Sequence, residues 1–200
     1  MNKRHTLFSQ SGDPPTDTRL IRDCLAGSEQ AWSNLIDRYK NLIFSVPIKT
    51  GISADDATDI FQAVCLDLLA GLPNLKRPEA LPRWLIQVTY HKCLRWKADR
   101  ARYSGDLTDA DAITAEFRGG SEPVPDELLY ELERLQKVRQ VLAKLEPRCR
   151  QLVQILFFET PPRPYREAAQ SLGLSVGSIG AVRERCLQRL RKLLEKAGLG

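Results

Sequence analysis

Ala169, Gly173, Ser175, Ile179 and Val182 stand at the spacings by which two short helices meet across a tight turn. Ala169 is small enough for an inter-helix contact, Gly173 allows the turn, Ser175 offers a hydroxyl to cap the next helix, and Ile179 and Val182 lock that helix on the first. This is the pattern of a helix-turn-helix, whose second helix enters the major groove of DNA. Ser175 and Ser178 stand where such a helix enters the groove, and Arg183 and Arg185 follow. Two residues apart, the arginines cannot face one groove floor. The expectation is that Arg183 reaches a base edge or flanking phosphate and that Arg185 turns toward the protein body or the DNA backbone. Gly177 and Gly180 each cost about 1 kcal/mol relative to Ala in an exposed helix interior, which suggests close approach to a phosphate or another helix. An ordinary αα-hairpin would show the same spacing; the basic run Arg183 to Lys196 tells against it.

Two further groups of side chains could do binding chemistry. Asp55, Asp59 and Gln62 follow one another by four and three, so they share a helix face opposite the apolar stripe Ala57, Ile60, Phe61, Val64, Cys65 and Leu68. By itself that is a plain solvated face. Trp84, Gln87, His91 and Arg95 lie on one side of the next helix, with Lys92 and Lys97 near enough to meet phosphates and Arg77 and Arg83 in the loop before it. A base leaving its stack needs an aromatic wall, polar groups for its edge and cations for its strand. The competing reading is that Trp84 is core and holds the loop.

The charge pattern extends this. The 200 residues carry a formal charge of +5, which suits a polyanionic partner without requiring one. Basic residues gather from Lys76 to Arg102 and from Arg183 to Lys196, separated by an acidic stretch holding Asp106, Asp109, Asp111, Glu116, Glu122, Asp126, Glu127, Glu131 and Glu133. Two basic surfaces beside an acidic connector fit two contacts with one long polyanion. No Gly-rich phosphate loop, paired-carboxylate site or histidine pair is present, so no catalytic residues, cofactor or metal are expected. Cys24, Cys65, Cys93, Cys149 and Cys186 are scattered and odd in number, and read as reduced core thiols of a cytoplasmic protein. No apolar stretch approaches the roughly 20 residues of a membrane span, and Met1 to Thr18 lacks the apolar segment of a signal peptide.

The elements that must position these residues are helices. Asp17 or Thr18 caps the first and Gly27 ends it; Ser28 caps the second, which carries Trp32, Leu35, Ile36, Tyr39 and Ile43; Ser53, with Asp56 three residues on, caps the third. A Pro-punctuated loop, Pro73 to Pro82, leads to a fourth. No strand period appears, and the expected fold is all-α: a flexible tail over 1–16, a four-helix domain over 17–100, a flexible acidic linker over 101–127 and a helix-turn-helix domain over 128–196.

In this order and spacing the chain resembles the extracytoplasmic-function (ECF) sigma factors, the smallest members of the major bacterial sigma family. The resemblance rests on Ala26-Gly27-Ser28-Glu29-Gln30-Ala31-Trp32, on Asp55 to Val64, on Trp84-Leu85, on Leu145-Glu146-Pro147-Arg148-Cys149-Arg150, and on the helix-turn-helix with Cys186 to Arg191. It implies a non-enzymatic subunit that directs RNA polymerase to promoters. Asp55, Asp56, Asp59 and Gln62 would bind the largest subunits of core polymerase; Arg77, Arg83, Trp84, Gln87, His91, Lys92, Arg95 and Lys97 would bind the minus-10 element; Ser175, Ser178, Arg183 and Arg185 would bind the minus-35 element. An anti-sigma factor is a further partner such proteins often have. The chain departs from the common pattern with His91 where Asn is usual, Arg95 where Asp is usual, Gly180 where a basic residue is usual and Val182 where Arg is usual, so base preferences do not carry over. The leading alternative is a helix-turn-helix regulator that binds duplex DNA without polymerase.

Overall fold

The computed structural model describes residues 15–104, 123–159, 161 and 163–199. Most of the expected tail, and the linker residues 105–122, lie outside the described residues. Helices α1 (Asp17–Leu25), α2 (Glu29–Lys49), α3 (Ala54–Gly71) and α4 (Leu81–Ser104) come first, with 3-10 turns at Leu72–Asn74 and Pro78–Ala80. Helices α5 (Asp126–Ala143), α6 (Pro147–Phe157), α7 (Tyr165–Ser171) and α8 (Ile179–Lys196) follow. Among the described residues there is no strand, and the fold is all-α.

Local sequence explains the starts of the first three helices. Gly27 takes φ +88°, a left-handed conformation that lets the chain reverse after α1. Ser28 accepts from Ala31 N at 3.2 Å, and Ser53 accepts from Asp56 N at 3.2 Å while its own hydroxyl donates to the Asp56 carboxylate. At α1 the cap is Thr16, not Asp17 or Thr18: Arg19 N donates to Thr16 Oγ1 at 3.3 Å. Asp17 is engaged elsewhere, accepting from Arg38 Nη1 at 2.6 Å and Tyr39 Oη at 2.7 Å, which pins α1 to α2. Tyr39 is fully buried, and that burial, with the Asp17 carboxylate beside it, pushes its hydroxyl pKa up and keeps it a neutral donor.

Two buried clusters result. The first gathers Leu20, Leu35, Leu42, Val46, Ile60, Val64, Leu68, Leu85, Ile86 and Cys93 from α1 to α4. The second gathers Leu145, Cys149, Leu152, Val153, Ile155, Ala168, Ala169, Ile179 and Cys186 from α6 to α8 and the turn before α6. Helix α5 does not sit with the second cluster alone, as a boundary at 128 would have it. Its Leu129 and Leu132 are buried in the first cluster, whereas Leu142 packs on the second. Polar contacts to α2 reinforce this seat: Lys49 pairs with Glu131 at 2.5 Å, Gln136 Nε2 donates to Arg38 O at 3.3 Å and Arg139 Nη2 donates to Ser45 Oγ at 2.9 Å. Four of the residues assigned to an acidic connector, Asp126, Glu127, Glu131 and Glu133, therefore belong to this helix.

The five cysteines are not all reduced core thiols. Cys24, Cys65 and Cys93 are free thiols, but Cys149 and Cys186 form a disulfide, with Cα atoms 5.2 Å apart. Their separation of 37 positions hides the pairing in the sequence; the packing of α6 on α8 creates it.

Candidate nucleic-acid interface

Helix α3 places its apolar stripe inward, with Ala57, Ile60, Val64 and Leu68 buried. Asp55, Asp59 and Gln62 are consequently all exposed on the outer side. Asp56 differs from them: it is half-buried, completes the Ser53 cap and lies 3.8 Å from Arg100. Exposed Leu66 and Leu69 continue the outer side toward the end of the helix.

Helix α4 is buried through Leu81, Leu85, Ile86, Thr89 and Cys93. The remaining surface carries exposed Arg83, Gln87 and Arg95 and half-buried Trp84 and His91, with exposed Arg77 in the preceding loop. Trp84 serves the core at least in part. It packs against the first cluster and, with Leu68, Gly71, Leu72, Leu75 and Leu81, lines a shallow groove under the loop. A Cβ on Gly71 would lie 2.8 Å from Trp84 Cζ2, so glycine is what lets the ring approach the end of α3 this closely. Gly71→Ala should therefore lower the stability of this unit by about 1–3 kcal/mol through overpacking, read as an earlier midpoint in urea unfolding followed by tryptophan fluorescence. An unchanged midpoint would mean that the ring does not pin the loop.

Of the lysines expected near a phosphate strand, Lys92 is held by Asp67 of α3 at 2.8 Å and is only partly exposed, and Lys97 is half-buried. Asp67 is a residue that sequence reasoning missed, because nothing local links positions 25 apart.

In the second unit the helix-turn-helix is formed as the spacing requires. Ala169 is fully buried, Ile179 nearly so, and Gly173 takes φ +62° at the turn. Helix α8 begins later than expected, with Ser178 in the N-cap position and Ser175 one turn earlier. Ser178 N donates to Ser175 O at 3.0 Å, and Ser175 Oγ donates to Ser178 Oγ at 2.9 Å, so the two hydroxyls organise an entry turn. Gly177 lies in that turn and Gly180 in the first turn of α8; a Cβ at either would meet nothing within 4 Å. Packing against another helix therefore does not explain these glycines.

The two arginines take the reverse of the orientations expected. Arg183 is half-buried and donates from Nη1 to Tyr165 Oη at 2.6 Å, tying α8 to the first residue of α7. Arg185 is exposed, on the outer side that also carries Ala181, Gln188 and Lys192. The reason is helical phase: Arg183 falls beside the buried stripe of Ile179, Val182 and Cys186, and Arg185 falls about a quarter turn away from it, toward the exposed side. Tyr165 was not anticipated, since its partner is 18 residues away.

Among the described residues no helix is long and apolar enough to cross a membrane. Comparison with known proteins is consistent across the chain. Residues 35–103 match the family Sigma-70 region 2, and residues 141–192 match Sigma-70, region 4. The RNA polymerase sigma factor NccH of Alcaligenes xylosoxydans xylosoxydans is 25% identical over 190 residues, covering 92% of this chain and 98% of that protein. The ECF RNA polymerase sigma factors SigD of Mycobacterium bovis and Mycobacterium tuberculosis are each 23% identical over 187 residues, covering 90% of this chain and 84% of theirs.

Proposed function

Because this chain belongs to the ECF-type RNA polymerase sigma factors, members of the sigma-70 family that act in transcription initiation, we propose that it meets its partners through three separate surfaces. The family binds core RNA polymerase and promoter DNA, and the regulator reading, which leaves the first unit without a polymerase role, loses its ground with the region 2 match. The outer side of α3, with Asp55, Asp59 and Gln62, takes core polymerase; Asp56 supports the helix start. An acidic, amide-bearing face suits a basic partner. The α4 surface with Arg77, Arg83, Gln87, His91 and Arg95 takes the minus-10 element, Trp84 holding the loop and Lys92 and Lys97 bordering the strand. The entry turn Ser175–Ser178 and helix α8 take the minus-35 element.

The observation that carries this reading is that Asp55, Asp59 and Gln62 are exposed together on a helix whose other side is core. The chain acts by binding and not by catalysis, works in the cytoplasm, and is open to capture by an anti-sigma factor over the same acidic and basic surfaces. Promoter-directed transcription with sigma-free core polymerase, with and without the purified chain, tests the whole reading: initiation should require both, and none with both present would overturn it.

Within α8 the geometry favours Arg185 for the groove. Arg185→Ala should lose about 1–3 kcal/mol on the preferred minus-35 sequence and relax selection at one position. Arg183→Ala should weaken all sequences alike, because it loosens the α7–α8 tie. Binding across a randomised minus-35 library at two salt concentrations separates these. A uniform loss for Arg185→Ala, with a salt slope lower by about one, would reassign it to a phosphate.

A further inference from the structure

The apolar contact of helix α8 with its unit is one narrow stripe, Ile179, Val182, Cys186, Leu190 and Leu193, and only Ile179 and Cys186 of these are buried. Cys186 sits in the middle of that stripe. It is 2% exposed, faces Cys149 of α6, itself 4% exposed, and the two are joined. One turn along both helices, Arg189 pairs with Glu146 at the start of α6, so the disulfide and the ion pair form adjacent rungs between the same two helices. The cysteines stand 37 positions apart, and the stretch between them encloses most of α6, all of α7, the turn and the start of α8, which is nearly the entire helix-turn-helix.

The other cysteines are arranged differently. Cys24, Cys65 and Cys93 stand on α1, α3 and α4 of the first unit as free thiols. Burial pushes the Cys93 thiol pKa up to about 11, and burial raises Cys24 and Cys65 as well. None of the three is joined to another cysteine.

A cytoplasmic redox balance keeps most thiols reduced, so a paired dithiol in such a protein is a place where oxidation state can change. We propose that Cys149 and Cys186 are a modification site, a dithiol that hydrogen peroxide converts to a disulfide and that thereby staples the promoter-binding helix-turn-helix. One thiol gives up its proton, its thiolate attacks peroxide, the O–O bond breaks, a sulfenic acid forms, and the hydroxide that leaves takes up that proton as water. The second thiolate attacks the sulfenic sulfur, the S–O bond breaks, and hydroxide leaves to be protonated as a second water. The two sulfurs lose two electrons in total, and peroxide gains them. Peroxide is small enough to reach the pair during local opening of so small a core. Once formed, the bond closes the loop that contains the motif and restricts its unfolded state, an effect that grows with loop length. The oxidised form has the helix-turn-helix assembled, so oxidation favours the DNA-binding conformation. That last consequence rests on the reading of α8 given above; the covalent chemistry does not.

The test uses the full chain, reduced with a phosphine and then treated or not treated with hydrogen peroxide. Alkylation under denaturing, non-reducing conditions should tag five cysteines in the reduced chain and three in the oxidised one, with Cys149 and Cys186 recovered as a linked peptide pair. Protease resistance of the second unit should rise by about tenfold or more on oxidation, and binding to a duplex carrying the minus-35 element should strengthen. A chain with Cys24, Cys65 and Cys93 all changed to Ser should keep this response, and Cys149→Ser and Cys186→Ser should each abolish it. Five tagged cysteines after peroxide, a link involving any other cysteine, or equal protease resistance in both forms would overturn the proposal. The thiol count and the protease resistance use no DNA, so a failure of the DNA reading and a failure of the staple register in different measurements.

Discussion

Asp59→Lys combined with Gln62→Ala is expected to weaken association with core polymerase about 100-fold while leaving helix content unchanged. Both side chains are exposed on the outer side of α3, so their replacement removes no buried contact. Placing a cation where a basic partner docks turns an attraction into a like-charge contact, which costs several kcal/mol, and about 2.8 kcal/mol already corresponds to 100-fold. The neighbouring Asp56 is a poor choice for the same experiment. It caps α3 with Ser53 and lies near Arg100, so its loss would confound binding with folding. The measurement is a titration of core polymerase with the variant, paired with circular dichroism. Unchanged affinity would remove α3 from the polymerase contact and leave its acidic side as solvated surface.

Leu132→Ala should destabilise the first unit by about 2–5 kcal/mol, the range for removing a fully buried leucine where the surroundings relax only in part. Leu132 has no exposed surface and lies in the first cluster, although it belongs to α5, across the 105–122 segment from α4. Trp32, Trp84 and Trp96 all pack against that cluster, so tryptophan fluorescence reports its unfolding. The variant should show an earlier denaturant midpoint by that probe. A midpoint equal to that of the unaltered chain would mean that α5 is not part of the first unit's core, and that the unit ends with α4.

These two predictions differ in how early they could have been made. The acidic side of α3 was readable from residue spacing, because an apolar stripe at helical period settles where the opposite side points. The seat of α5 was not. Its period announces a helix with one apolar side but does not say which of two cores receives that side, and the answer is divided between Leu129 and Leu132 at one end and Leu142 at the other.

The same division runs through the whole chain. The sequence by itself determined the all-α class, the caps at Ser28 and Ser53 and the turn at Gly173, since each depends on residues within about one or two turns of one another. Tertiary structure alone decided which candidate side chains are held by a partner. Asp17 left the cap of α1 to Thr16 because Arg38 and Tyr39 reach it; Lys92 is held by Asp67; Arg183 is held by Tyr165, leaving Arg185 to face outward; and Cys149 meets Cys186. The physical reason is common to all four. Helical phase sets the direction of a side chain from local sequence, but the group it meets lies 18 to 37 residues away and is brought there only when the helices pack.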